Sequence, residues 1–168
     1  MGLKIEFYSA SLQEMVDLFV SEWQKDEDQD ENDDDFWNAL EQYPMADFSF
    51  HLVLPDDLDH LCQALREQSV LVPSVFRELL VEQVWVDDPQ VPSESLTLLQ
   101  ESFARTFSAL TDRALEEVSG QWSATFPDPD TLNVTALSQA LFRLREVTQD
   151  VVTHNTSLLM HLFGHSHW

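Results

Sequence analysis

Residues 93–120 read SESLTLLQESFARTFSALTDRALEEVSG, and the fold turns on how they are taken. Leu96, Leu99, Phe103, Phe107, Leu110 and Ala114 recur three and four residues apart. That spacing lines one face of a helix. The expectation is a helix from Ser93 to about Val118, with Gly120 just past its end, where a C-cap belongs. Residues 126–133, FPDPDTLN, form a loop. A second long helix is expected over about 134–163, with Leu137, Leu141, Leu144, Val151 and Leu158 on its stripe. Thr148 and Asn155 fill the intervening stripe positions, and Gly164 is the natural stop. Two long helices joined by a Pro-containing loop predict an antiparallel hairpin.

Working toward the N-terminus, DDPQVP at 87–92 is a break. A helix is expected from Ser74 to Val84 or beyond, although its VWV end also reads as a strand. Pro55, Asp56 and Asp57 open another helix that reaches about Glu67, since Pro suits the first helical position and acids favour that end. FSFHLVL, 48–54, alternates Phe48, Phe50, Leu52 and Leu54 with Ser49, His51 and Val53, as a strand does. Leu3, Ile5 and Phe7 alternate in the same way with Lys4, Glu6 and Tyr8, which predicts a half-buried strand. Ser11 and Glu14 make a capping box for a helix to about residue 24, striped by Leu12, Met15, Val16, Phe19, Val20 and Trp23. The expected class is α+β and predominantly helical. It has a small N-terminal two-stranded β element plus a long C-terminal antiparallel helical hairpin, in a single domain over residues 1–168.

The chain carries 31 acidic and 8 basic side chains, a net charge of -23. Binding a phosphate backbone needs Lys and Arg to release counterions, so no nucleic acid partner is expected. The same charge argues against an anionic membrane surface. It attracts a basic protein. Two lysines against many acids also fit adaptation to salt. The aromatic content, 11 Phe and 5 Trp, supports a folded core despite the charge. MGLKIEFYSA lacks a charged segment followed by an apolar run, which leads to the expectation of a cytoplasmic location. Apolar helix stripes pack equally well within the chain or across a homodimer.

Site chemistry is sparse. Only three glycines are present, and no phosphate-cradling loop exists. Cys62 is the one cysteine; it lies among Leu58, Leu61 and Leu65 and reads as core. No cofactor is assigned. Asp56 with Asp57, Asp87 with Asp88, and Glu116 with Glu117 are paired acids, but neighbours on a helix point apart, so none is assigned catalysis.

The acidic run KDEDQDENDDD, 25–35, is expected to be a solvated loop. Read from Asp30, the twelve residues to Glu41 resemble an EF-hand calcium loop, with Asp30, Asn32, Asp34, the Phe36 carbonyl, Asn38 and Glu41 at the ligand positions. Asp35 stands where the sharp turn favours Gly, and Pro44 cuts the following helix short. His161, His165 and His167 cluster near the end; four-residue spacing would pair His161 with His165 on a continuous helix, but Gly164 interrupts it. Neither group is assigned a metal. The reading that results is a non-enzymatic interaction module of the inhibitor, immunity, antitoxin or DNA-mimic type. Asp28, Asp30, Asp33, Asp34, Asp35 and Trp37 would meet the basic partner. The alternative is a metal-binding protein or metal-dependent enzyme built on the acidic loop or the histidines.

Overall fold

The computed structural model describes residues 4–24, 33–49, 53, 55–90, 92–126 and 133–164. Among them β1 (Lys4–Ala10) leads into α1 (Leu12–Trp23), α2 (Asp33–Leu40), β2 (Met45–Asp47) and α3 (Pro55–Glu67). A 3-10 turn (Phe76–Leu79) runs directly into β3 (Leu80–Val86), and β4 (Glu94–Leu99) follows. The chain then forms α4 (Glu101–Ser108), α5 (Asp112–Ser123), α6 (Val134–His154) and β5 (Ser157–Phe163). The strands make one antiparallel sheet in the order β2-β1-β5-β4-β3. The last strand therefore lies in the middle, between the first and the fourth.

Helices cover both faces of this sheet. On one face Ile5, Phe7, Leu158, Met160 and Leu162 pack with Leu61, Phe103, Trp122 and Leu141 from α3 to α6. The Trp122 indole N–H donates to the Asp57 carbonyl at 2.7 Å, which ties α5 to α3. On the other face Tyr8, Ala10, Leu96 and Leu159 pack with Met15 and Phe19 of α1 and Phe36 and Leu40 of α2. An antiparallel sheet often leaves one face to water and then alternates polar with apolar. Here neither face is left open, so the central strands bury polar residues such as Glu6, Ser9, Ser95, Thr97 and His161 along with apolar ones.

This architecture corrects the expected two-stranded element and helical hairpin. Residues 93–120 are not one helix. Ser95, Leu96 and Thr97 are buried in β4, whose two faces both pack. Gln100 is extended (φ -61°, ψ 132°) and its N–H donates to the Leu79 carbonyl, so the strand ends there before α4 begins. Thr111 caps α5 through a bond from the Ala114 N–H at 3.2 Å, separating it from α4. The three-and-four spacing holds for Leu99, Phe103 and Phe107, which share a core. Leu96 fits it by coincidence and packs on the opposite face.

The expected helix over 134–163 is also two elements. Asn155 adopts the left-handed conformation (φ 54°, ψ 44°) and ends α6. Short polar side chains tolerate that region better than most. The Thr156 N–H closes the cap on the Val151 carbonyl at 3.2 Å. SLLMHLF then continues as β5, because an apolar run broken only by His161 suits a strand buried on both faces. The expected helix from Ser74 gives way to the 3-10 turn and β3, so the VWV piece is strand. The strand that pairs with β1 is Met45–Asp47 rather than 48–54. Phe48 follows it, with its N–H on the Ile5 carbonyl at 2.8 Å; residues 50–52 and 54 lie outside the described residues. Val53 is buried, although the alternation put it on the polar side.

The helix after Ser11 and the helix opened by Pro55 form as expected, and so does a strand at Lys4–Ala10, but that strand is buried on both faces rather than half-buried. The Glu14 N–H reaches the Ser11 hydroxyl at 3.5 Å. Cys62 is buried, and burial pushes its thiol up to about 12. Among the described residues no helix is long and apolar enough to cross a membrane.

Gly120 distinguishes the two readings of this region. It lies inside α5 on an exposed turn, and a Cβ built there meets nothing within 4 Å. Gly120→Ala should therefore raise stability by about 0.5–1 kcal/mol, the helix-propensity difference. A glycine acting as a left-handed C-cap would instead lose stability on the same change. Denaturant midpoints of the two proteins decide between them.

Candidate functional site

The face of the sheet beneath α1 and α2 carries the polar groups. In an antiparallel sheet, directly opposed residues share a face. Glu6 of β1 faces His161 of β5, and His161 also faces Leu96 of β4. Glu94 lies two residues before Leu96 on the same face, diagonal to His161. The alternation of β1 brings Lys4 and Tyr8 to this face as well. Glu6, Tyr8 and His161 are each at most 3% exposed.

His161 bridges two carboxylates. Its Nδ1 lies 3.0 Å from Glu6 Oε2, and its Nε2 lies 2.7 Å from Glu94 Oε1. The Tyr8 hydroxyl donates to Glu6 Oε2 at 2.8 Å. Lys4 Nζ reaches the other Glu6 oxygen, also at 2.8 Å. With a carboxylate on each ring nitrogen, the protonated imidazolium is the form that donates to both. Burial opposes that charge, but the bonds to Glu6 and Glu94 outweigh it and raise the His161 pKa. Burial likewise works against the Glu6 charge; bonds from His161, Lys4 and Tyr8 overcome it and hold the carboxyl down to about 2. Burial and the Glu6 charge together push the Tyr8 hydroxyl well above its usual range, so it stays a neutral donor.

The turn before β4 fixes where Glu94 begins. The Asp87 N–H donates to the Glu94 carbonyl at 3.1 Å, and the Asp87 carboxylate accepts from the Ser93 N–H at 3.0 Å. The Gly164 N–H closes on the Ser93 carbonyl at 2.7 Å. Burial disfavours the Asp87 charge, but the Ser93 hydroxyl and nearby backbone N–H groups hold its carboxyl below the usual range.

Above the cluster lies an aromatic stack. The Phe19 ring sits 5.0 Å from His161, 5.2 Å from Phe36 and 4.9 Å from Trp85, centroid to centroid. A cavity of about 140 Å³ opens between α1, α2 and the start of β4. Phe19, Glu22, Trp23, Phe36, Trp37 and Glu94 line it. Trp23 is 54% exposed and Trp37 is 41% exposed. Lys4 Nζ lies 5.4 Å from the centre of the Trp37 ring, within cation–π range.

Of the residues singled out from sequence, Trp37 is part of this site. Asp35 is exposed on α2, and Asp33 and Asp34 stand in the first turn of that helix, so the last three acids of the run are helical rather than loop. Asp28 and Asp30 lie outside the described residues, as do His165 and His167. The calcium-loop resemblance runs into the same helix. Asp34, Phe36 and Asn38 all lie in α2, and Phe36 is buried, where a calcium loop would wrap its backbone around an ion. His161 belongs to the centre of the sheet, not to a helix end. Both its nitrogens are engaged. Among the described residues no group of three or more His, Cys, Asp or Glu is placed to hold a metal ion.

Glu6, Glu94 and Tyr8 were missed because each was assigned to a solvent-facing or helical position. One signal was available: His161 interrupts the apolar run SLLMHLF, and a polar group in a doubly buried strand needs a partner. The cavity walls offer carboxylates and aromatic faces and hold no hydroxyl or thiol nucleophile among the described lining residues. That chemistry suits holding a cation. The chain matches no protein-family model, no curated protein and no solved structure, so functional inference rests on this geometry.

The cluster makes stability depend on pH in two directions. A raised His161 pKa contributes stability that is fully present below its ordinary 6.5 and lost as pH rises through the folded value. The lowered Glu6 pKa contributes above its ordinary 4.5 and is lost as pH falls toward about 2. Glu6→Gln should cost about 3–5 kcal/mol at mildly acid pH, the usual penalty for removing one partner of a buried pair. It should also flatten the decline of stability above pH 6.5 relative to the unmodified protein. Chemical denaturation across pH tests this; parallel pH profiles would contradict the pairing.

Proposed function

We propose that this protein is a non-enzymatic binding module that takes a basic protein on the face formed by α1 and α2. The observation that carries the reading is the position of two exposed tryptophans. Trp23 ends α1 and Trp37 lies in α2, and the stretch of sequence between those helices is the most acidic in the chain. Exposed tryptophans beside carboxylates, here Glu22 and Glu94, have the composition of an interface, with aromatic anchors at the centre and charge at the rim. The net charge of -23 supplies a long-range field that draws in a cationic partner. Inhibitor, immunity, antitoxin and DNA-mimic proteins all work by this kind of complementarity. A metal-dependent function has no comparable support, since the helix of α2 occupies most of the would-be calcium loop.

The test is retention of proteins from host lysate on the immobilised chain, at low and at physiological salt. Beside it runs a variant with Asp28, Asp30, Asp33, Asp34 and Asp35 changed to Asn. The expected result is a basic protein held by the intact chain, released by salt and lost from the variant. Identical retention by both proteins would remove the α1–α2 face from the account.

A further inference from the structure

We infer that the cavity between α1, α2 and β4 is a subsite for a single arginine side chain of the basic partner, an inference that rests on the binding-module reading above. Three features of the cavity point to this guest.

The first is size. A cavity of about 140 Å³ is close to one that accepts benzene, and a planar guanidinium is a guest of that class. The second is the chemistry of the walls. Trp23, Trp37, Phe19 and Phe36 offer aromatic surface, on which a guanidinium stacks. Glu94 lines the same space with a carboxylate whose Oε1 is already engaged by His161. A carboxylate accepts at both oxygens, so a forked donor has a partner there. The third feature is that the aromatic wall already receives a cation. Lys4 lies over the Trp37 ring, and its charge is matched by Glu6 at 2.8 Å. The wall therefore favours positive charge without presenting an unpaired one that would repel the guest.

The local charge agrees. His161 is positive, but Glu6 and Glu94 flank it, so the three together carry one net negative charge. Lys4 balances that charge, so the cluster beneath the cavity presents no net positive charge to a cationic guest. Arginine is favoured over lysine because its guanidinium is planar and more weakly hydrated, which suits a space that sets ring faces beside carboxylates. The His161 bridge serves as the positioning element: it fixes the Glu94 carboxylate at the floor while taking no part in the contact with the guest.

Calorimetric titration of the full chain with hexa-arginine and with hexa-lysine tests the inference. The two peptides have equal charge and differ in the head group. Hexa-arginine should bind the tighter at fixed salt. Trp37→Leu should weaken hexa-arginine by about tenfold and bring the two peptides level. Trp23→Leu, at the more exposed of the two tryptophans, should act in the same direction and guards against a folding defect in the first variant. Glu94→Gln should weaken hexa-arginine more than Glu116→Gln, which removes one exposed charge from α5. Equal binding of both peptides, unchanged in the tryptophan variants, would overturn the arginine subsite and leave the acidic module standing. Failure of both peptides to bind at low salt would overturn the subsite and the module together.

Discussion

A carboxylate buried under helices has to be given a positive partner, and most of this structure follows from how Glu6 receives one. Both faces of the sheet are covered, so the face that carries Glu6 has no water to solvate it. An unpaired charge in that setting would cost many kcal/mol. His161 answers it from the neighbouring strand and reaches Glu94 on the strand beyond. The bridge thus ties β1, β5 and β4, the three inner strands, across their hydrogen-bond ladders. Tyr8 and Lys4 take up further bonding capacity of the Glu6 carboxylate. Phe19 of α1 then closes over the imidazole, its ring centre 5.0 Å from that of His161.

The same bridge gives the surface its character. Glu94 is shared between the buried cluster and the open cavity, so its position at the surface is set from inside. The tryptophans stand on two helices that pack over that floor. Charge acts here at two ranges. The field of the whole acidic molecule works at a distance and is screened within about 8–10 Å at ordinary salt. The proposed arginine contact would work at short range, where ring faces and the Glu94 carboxylate can tell apart cations that the field treats alike.

How much of this the sequence reveals depends on how each segment is buried. β1 and α1 are legible because their periods are clean and Ser11 caps the helix. α3 is legible because Pro55 and two acids mark its start. β4 and β5 are not. β5 is an apolar run broken only by His161, and Leu96 of β4 falls in step with Leu99, Phe103 and Phe107, so each matches a helical stripe. The apolar run of β5 follows the polar stretch THNTS in step with the helical stripe of α6, and only Asn155, in the left-handed region, and Thr156 separate the two elements. Glu6 and Tyr8 look solvent-facing because alternation on an isolated strand implies one wet face, whereas both faces of β1 are covered. Trp37 could be singled out because it adjoins the acidic run, but its neighbours in the cavity come from β4 and α1, distant in sequence. Among the described residues most acids are exposed or half-buried, whereas Glu6 stands singly between Ile5 and Phe7 and is buried.

The most direct measurement of the central claim is the protonation of the His161 ring, followed by nitrogen-15 NMR of imidazole-labelled protein. The account predicts that both Nδ1 and Nε2 carry protons at neutral pH and that the ring titrates above the ordinary histidine value of 6.5. A ring that is a single neutral tautomer at that pH would contradict it, because one of the two carboxylates would then face a nitrogen lone pair instead of a donor.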